Sequence, residues 1–570
     1  MITVRRLAAT GALVVAFFLA AASPAFAHAS LDGSTPGAGE TVPRSPTAIE
    51  LRFDESVQVG LGGVKVFDGA GHAVGASAPR HPGGEGSRIS VNVPHLPNGS
   101  YVVTWRVISA DTHPVRGAFV FNVVRATANR TVAGLPVLLL NRQSGSTAVG
   151  VLFGIARFLM FAGLVGLVGG ALFLVFVWPV GRYERRTRWY VWLSWWCCMT
   201  GTLLGLAVQG PYAAARSIGA VTDTSLWGDV LDTRFGKVWL ARVFVLVLAA
   251  FLLRLVLRGR PEDDEPLPIW WPAAAGLVSF WLVATPALSG HAGTGSWLVV
   301  TIAIDLVHVA AAALWLGGLG LLAVAVLPRR SLAELRVVVP RFSTLAFGAV
   351  LTVAATGFLR AWREVGSFHN LLSTSYGHLV EIKLVAFGAL VAFAVVSHRI
   401  VRARFVRSTD EPAGSIAGDE SSDPRREVRA LRRSVGAELV IAVVVLIVTT
   451  LLVNAAPAKS IVAGPYSKTL QTPHAWFDVQ VLPAKVGVNE MHFTISDPTG
   501  RGSTVQNLRV QFELPSHGIA PITIPLTRVT AGHYLAPRAT LPIAGDWRMT
   551  IKALVTDTDE ATVTDTVPIR

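Results

Sequence analysis

The sequence predicts a mixed, multidomain fold: an exported N-terminal β-sandwich, an eight-helix α-helical transmembrane bundle and an exported C-terminal β-sandwich. Three observations carry that prediction. Across 570 residues, hydrophobic side chains make up 52% and charged ones only 15%, too apolar for an ordinary soluble chain. Eight apolar runs long enough to cross a bilayer lie together in the middle. Both flanks show instead the period-two alternation of half-buried strands, broken by turn residues.

In chain order, residues 1–27 have the pattern of an export signal. Arg5 and Arg6 precede an apolar run from Leu7 to Ala22, and Ala25-Phe26-Ala27 makes an A-x-A cleavage pattern. The expected mature chain begins at His28. Residues 28–125 read as strands: alternation is clear in Ala48–Phe53 and Ile89–Val93, and Tyr101–Val107 and Ala118–Val123 are rich in β-formers. Asp68-Gly69 and Asn98-Gly99 supply turns. A domain of this size buries a modest core without disulfides, and the two cysteines, Cys197 and Cys198, are adjacent and too close to form a framework. Residues 126–148 read as a linker.

The apolar runs span 149–180, 190–213, 236–257, 269–289, 298–327, 341–361, 377–400 and 435–455, within a membrane domain of residues 149–455. The net charge of +14 raises the question of nucleic-acid binding. Its distribution answers that no nucleic acid is needed. Arg182, Arg185, Arg186 and Arg188 follow the first run, Arg258 and Arg260 the third, and Arg329, Arg330 and Arg336 the fifth. A longer arginine series from Arg402 to Arg433 follows the seventh, while the intervening loops are poor in arginine. By the positive-inside rule the odd loops are cytoplasmic, and both flanking domains lie outside. The localisation expected is therefore multi-pass in the cytoplasmic membrane, in contact with membrane lipid. Residues 408–424 are polar and read as a disordered loop. Residues 456–570 return to alternation, as in Ala475–Val481 and Glu490–Ile495, with turns at Asp497-Pro498-Thr499-Gly500 and Ala544-Gly545-Asp546.

The front domain carries the strongest chemical signal. A mature N-terminal His28 offers an amine and an imidazole. Asp111 adds a carboxylate oxygen, and His113 a second imidazole. Three nitrogens and an oxygen suit tetragonal copper(II), and suit magnesium poorly. In a strand, residues 111 and 113 share a face; in a loop that argument lapses. An Asp-x-His pair is common on surfaces, and only its coincidence with His28 raises it to a candidate site. The domain has no Met or Cys, so the soft ligands that favour copper(I) are missing and a Cu(II) cofactor is expected. His72, His81 and His95, near Gly and Pro, read as loop residues.

Within the spans, ionisable side chains are costly and draw attention. Asp305 and His308 are three apart and share a helix face, and His291 lies near the outer end of the preceding run; these three are candidates for a transport path. His369, His378, Glu381 and Lys383 cluster near the outer end of the seventh run, and His398 near its inner end.

Several stretches resemble known families. His28-Ala29-Ser30-Leu31, Ser34-Thr35-Pro36, Leu51–Val57 and Trp105–Phe119 together resemble the periplasmic copper-binding protein CopC. That resemblance implies copper(II) ligands at His28, Asp111 and His113; the methionine-rich copper(I) segment of some members has no counterpart. Ser289-Gly290-His291-Ala292, His308 through Leu319, Arg341-Phe342-Ser343 and Tyr376–Leu379 with Lys383 resemble CopD, the membrane partner of CopC, and imply copper uptake or delivery. His517-Gly518, Gly532-His533-Tyr534 and Gly545-Asp546-Trp547 resemble the YtkA-like domain. In this last domain His474, Met491, His492, His517 and His533 are candidate copper contacts, but Met491 and His492 are adjacent on a strand and face opposite ways.

The expectation is thus a copper-binding membrane transport protein, not an enzyme, with copper chaperones outside the membrane as candidate partners. No G-x-x-x-x-G-K-[ST] loop is present, so gradient-driven or passive movement is expected. The rivals are a haem-binding membrane oxidoreductase, since helix-bundle histidines can ligate haem, and a protein that only sequesters or senses copper.

Overall fold

The structure is a computed structural model. It describes residues 29, 31–37, 40–109, 113–123, 135, 139, 145–258, 268–290, 298–328, 332–365, 368–401, 424–455, 466–482, 484, 486–497, 503–530, 532–556 and 559–569. His28, Asp111 and His291 lie outside these residues.

Alternation in the front domain becomes two facing sheets. Strands β1 (Leu31–Thr35), β3 (Ala48–Phe53) and β6 (Arg88–Asn92) form one sheet, in the order β1-β3-β6. The other joins β2 (Thr41–Val42), β8 (Pro114–Val123), β7 (Gly99–Ser109), β4 (Val57–Asp68) and β5 (Ala73–Val74), in the order β2-β8-β7-β4-β5. Ile49, Leu51 and Val91 from the first meet Val66, Val103, Val107 and Phe121 from the second. Burying each such side chain contributes about 1.5–3 kcal/mol. The Asp68-Gly69 turn is closed by the Asp68 carboxylate, which accepts from the backbone N–H of Ala70 and of His72, both at 2.9 Å. Burial by itself raises the Asp68 pKa, but these donors outweigh it and hold the carboxyl below its ordinary value.

Among the described residues, eight helices are long and apolar enough to cross a membrane. They are α1 (Thr147–Phe176), α2 (Arg185–Ala213), α4 (Arg234–Val256), α5 (Trp271–Ser289), α6 (from Leu298 to Val326), α7 (Leu332–Val365), α9 (Ser375–Val401) and α10 (Pro424–Asn454), with short α3 (Thr224–Asp232) and α8 (Phe368–Ser373) between spans. Their order matches the eight expected runs, but α7 and α10 start earlier than the apolar pattern does. Helix α6 starts as Leu298–Ala312 and continues through two π turns, Ala313–Gly317 and Leu322–Val326, separated by Gly318–Leu321. Such π turns free a carbonyl from the ladder, and the Tyr190 hydroxyl of α2 donates to that of Gly317 at 2.9 Å.

In the C-terminal domain β9 (Tyr466–Gln471), β10 (Trp476–Leu482), β11 (Gly487–Ser496), β15 (His533–Leu541) and β14 (Thr527–Thr530) make one sheet, ordered β14-β15-β11-β10-β9. Its partner is β13-β12-β16-β17, from β12 (Asn507–Leu514), β13 (Ile519–Ile524), β16 (Gly545–Leu554) and β17 (Glu560–Ile569). Phe477, Met491, Phe493, Phe512 and Trp547 fill the space between them, all fully buried. Met491 therefore belongs to the core, and His492 to the other face.

Candidate metal centre

The front domain is seated on the membrane bundle. Leu61 of β4 and Ile108 of β7 pack with Ala213 at the end of α2 and with Leu226 and Val230 of α3. Arg106 of β7 donates through Nε to the Ala213 carbonyl at 2.5 Å and through Nη2 to that of Tyr212 at 3.2 Å. A guanidinium at a helix C-terminus meets both orphan carbonyls and the negative end of the dipole. Burial, followed by the nearby Arg116 charge, lowers the Arg106 pKa, but a guanidinium keeps its proton.

The β7–β8 hairpin brings His113 to the same seat. Ser109 N–H donates to the His113 carbonyl at 3.0 Å, closing the hairpin base. His113 itself lies just before β8, in the connection and not in a strand; the shared-face argument for residues 111 and 113 therefore lapses. Its ring is buried, 5% exposed, and Nε2 donates to the Val453 carbonyl at the end of α10, at 2.7 Å. Arg157 of α1 donates to the same carbonyl at 2.9 Å and to Asn454 Oδ1 at 2.6 Å.

The start of the described chain arrives at this hairpin. The Ala29 N–H donates to Ser109 Oγ at 3.3 Å, across 80 residues of sequence, and the Ser109 hydroxyl donates to Glu55 Oε1 at 2.6 Å. The residue after His28 thus touches the strand end two residues before Asp111. Sequence reasoning held Glu55 and Arg106 only as parts of motifs and missed Arg157. A buried serine at a strand end facing an acidic turn is too ordinary a pattern to stand out.

In the bundle, Asp305 and His308 both turn toward α7 but to different partners. Asp305 pairs with Arg360 Nε at 2.9 Å. The Thr356 hydroxyl donates to the Thr352 carbonyl at 2.6 Å, so it accepts from His308 Nδ1–H at 2.8 Å. A neutral imidazole so held presents its Nε2 lone pair. His378 lies 3.3 Å from Glu381, and His398 Nδ1 meets Ser343 Oγ at 2.7 Å while its ring stacks on Phe347. Glu438 of α10, 2% exposed, accepts from Ser397 Oγ at 2.5 Å; sequence reasoning missed it, although a lone acid in the eighth run could have pointed to it. Among the described residues no group of three or more His, Cys, Asp or Glu side chains surrounds one point.

Comparison with known proteins follows the same division. Residues 31–124 match the family described as CopC domain, 147–299 the Copper resistance protein D-like N-terminal domain, and 336–452 Copper resistance protein D. The chain belongs to the CopC–CopD copper resistance and transport family. Copper transport protein CutJ of Bacillus subtilis (strain 168) is 22% identical over 97% of both chains. Copper resistance protein C of Escherichia coli is 35% identical over 92% of its length and 20% of this chain. Inner membrane protein YebZ of Escherichia coli (strain K12) is 26% identical over 87% of its length and 45% of this chain. With the eight apolar helices, these relatives make this CopC–CopD chain a multi-pass membrane protein.

Proposed function

We propose that this protein captures Cu(II) outside the cytoplasmic membrane at His28, Asp111 and His113 and delivers copper into the eight-helix domain for import. On this reading it binds and moves copper and is not an enzyme. The observation that carries the reading is the Ala29–Ser109 contact beside the seat of His113 on Val453. These contacts bring together Ala29, Ser109 and His113 at the base of the hairpin and Val453 at the end of the last span. Three nitrogens and one oxygen there would favour Cu(II) over harder cations. The positive-inside pattern supports the sidedness. His308, with Nε2 presented, and Asp305 with Arg360 are the polar groups that a copper ion entering α6 and α7 would meet; His291 precedes them in the chain.

Two measurements test the proposal. The mature protein should bind Cu(II) tightly at this site, and Asp111→Ala/His113→Ala should weaken that binding at least 100-fold; unchanged affinity sinks the ligand assignment. Vesicles containing the protein should accumulate copper faster than empty ones. Binding without flux would leave a sequestering protein, and a visible haem band in the purified protein would favour an oxidoreductase instead.

A further inference from the structure

The C-terminal domain holds a second pair of imidazoles that the front-site reading does not use. On β11, His492 sits opposite Gln480 of β10 and Leu535 of β15, and Thr494 sits opposite His533. His492 and His533 are therefore diagonal neighbours on the sheet face turned away from the domain's own core. Their rings lie nearly parallel, 11° apart, and His492 Nδ1 is 3.2 Å from His533 Nε2. The remaining nitrogen of His492, Nε2, is 2.7 Å from Glu490 Oε1.

The polypeptide has gone to some length to build this pair. His533 opens β15 directly after Gly532, whose φ is +77°. A Cβ at Gly532 would come within 2.7 Å of the Ile495 carbonyl, which also forbids a side chain there. On its outward-turned face His492 is only 4% exposed. Leu482, on the same face of β10 and opposite Glu490, packs against the core of the front domain. The imidazole pair thus belongs to the sheet face that leans on the copper-binding domain.

The hydrogen bonds set the tautomers. A carboxylate only accepts, so His492 carries its proton on Nε2 and turns the Nδ1 lone pair toward His533. Burial, followed by the neighbouring His492, lowers the His533 pKa to about 4, so the His533 ring is neutral near pH 7. A metal-ligating histidine whose other N–H is held by a carboxylate is the usual oriented arrangement. The spacing is close: with metal–nitrogen bonds of about 2.0 Å, nitrogens 3.2 Å apart subtend roughly 106°, and the roughly 90° of neighbouring ligands in a tetragonal site needs them about 0.4 Å closer. Rotation about the soft Cβ–Cγ bonds brings both lone pairs to one point. Metal binding then requires the proton that His533 donates from Nε2 to move to its Nδ1, the other neutral tautomer, which leaves a lone pair on both facing nitrogens.

We infer that His492 Nδ1 and His533 Nε2 form a second copper(II) site, oriented by Glu490, on the face of the C-terminal domain turned to the front domain. The donors are nitrogens, with Met491 facing the opposite way into the core. Among divalent ions an all-nitrogen pair ranks copper first. Water completes the coordination. The inference stands on its own geometry and does not need the front site to be assigned correctly.

The test uses the full mature chain in detergent, titrated with Cu(II) against a competing chelator, with bound metal counted per chain and imidazole nitrogens read by pulsed electron paramagnetic resonance. The Asp111→Ala/His113→Ala protein should retain one copper with two equivalent-type imidazole couplings. Adding His533→Gln, at the less buried member of the pair, should lower that affinity at least 100-fold, with unchanged thermal unfolding showing that the domain is intact. Glu490→Gln should keep the stoichiometry and weaken binding about 10-fold. Absence of copper from the Asp111→Ala/His113→Ala protein, or its retention after His533→Gln, overturns the site. A wild-type protein holding a single copper that is lost with His533→Gln would support this site and count against the front one.

Discussion

Replacing Arg106 should loosen the front domain from the bundle without unfolding either. The side chain makes two hydrogen bonds to carbonyls that end α2, at 2.5 and 3.2 Å. Each charge-assisted bond is worth about 1.5–3 kcal/mol, and water reaching the freed carbonyls recovers part of this. A net loss of about 2–3 kcal/mol corresponds to roughly a 30- to 150-fold shift in the docked-to-undocked ratio. A cysteine at Leu61, 2% exposed in the seam between β4 and α2/α3, reports undocking, because its alkylation rate follows the open population when reclosing is fast. Arg106→Ala should raise that rate by the same 30- to 150-fold, and Arg106→Lys by less, since an ammonium keeps charge but not the fork. A cysteine at Val103, fully buried in the front core, should stay unreactive, which separates undocking from unfolding. A Leu61→Cys rate within 3-fold of the unsubstituted background would refute the seat as drawn.

Three further outcomes follow from particular contacts. Asp305→Asn leaves Arg360 unpaired beside Lys383 and should lower thermal stability in detergent by about 3 kcal/mol, whereas Asp305→Asn/Arg360→Gln should cost less because the like charge of Arg360 is gone too. Trp547, fully buried with its Nε1–H donating to the Ile543 carbonyl at 2.9 Å, should cost the C-terminal domain about 3–5 kcal/mol as Trp547→Ala, read by resistance to limited proteolysis. Asp565 of β17 is clasped by the Tyr466 hydroxyl and, at 2.9 Å, by Lys468 of β9. Burial by itself raises its pKa, but those donors, with the backbone N–H of Thr566, hold it below the ordinary value. The folded domain therefore binds this proton less readily than the unfolded chain. The contribution is full above the ordinary carboxylate range and is lost as pH falls through the lowered value. Asp565→Asn should flatten that acid limb of a denaturation curve.

What could be read in advance divides by the range of the forces involved. The eight spans and both sandwiches were legible because hydrophobic period and loop charge are local signals. Strand β4 escaped because Gly60, Gly62 and Gly63 break its alternation. They mark the register shift between Gln58 and Gly63, where a Cβ at Gly62 would sit 2.0 Å from the Arg106 carbonyl. The π turns of α6 escaped because an apolar run looks alike in either ladder. At the site, residue types could be named, but their partners could not. Asp305 and His308 share a face, yet Arg360 and Thr356, about fifty residues on, decide what each does. The histidine pair of the C-terminal domain was visible only as separate residues, since strand order β15-β11 is what joins them.

If His113 ligates copper as proposed, a single ring joins that site to the membrane domain. Val453 offers a carbonyl, which only accepts, so the His113 nitrogen 2.7 Å away, Nε2, must carry hydrogen. A copper ligand needs a lone pair, and the two demands cannot meet on one nitrogen. Copper held through Nδ1 leaves the Val453 contact in place, and copper held through Nε2 must break it. Arg157 donates to the same carbonyl and would keep Val453 satisfied, so release of His113 strands no acceptor. The docked arrangement nevertheless favours Nδ1, because ligation there gives up no contact to the bundle. Loading the mature protein with Cu(II) should therefore leave the alkylation rate of Leu61→Cys unchanged. A copper-dependent rise in that rate, absent from Asp111→Ala/His113→Ala, would instead make Nε2 the ligand and capture itself the event that frees the front domain from the bundle.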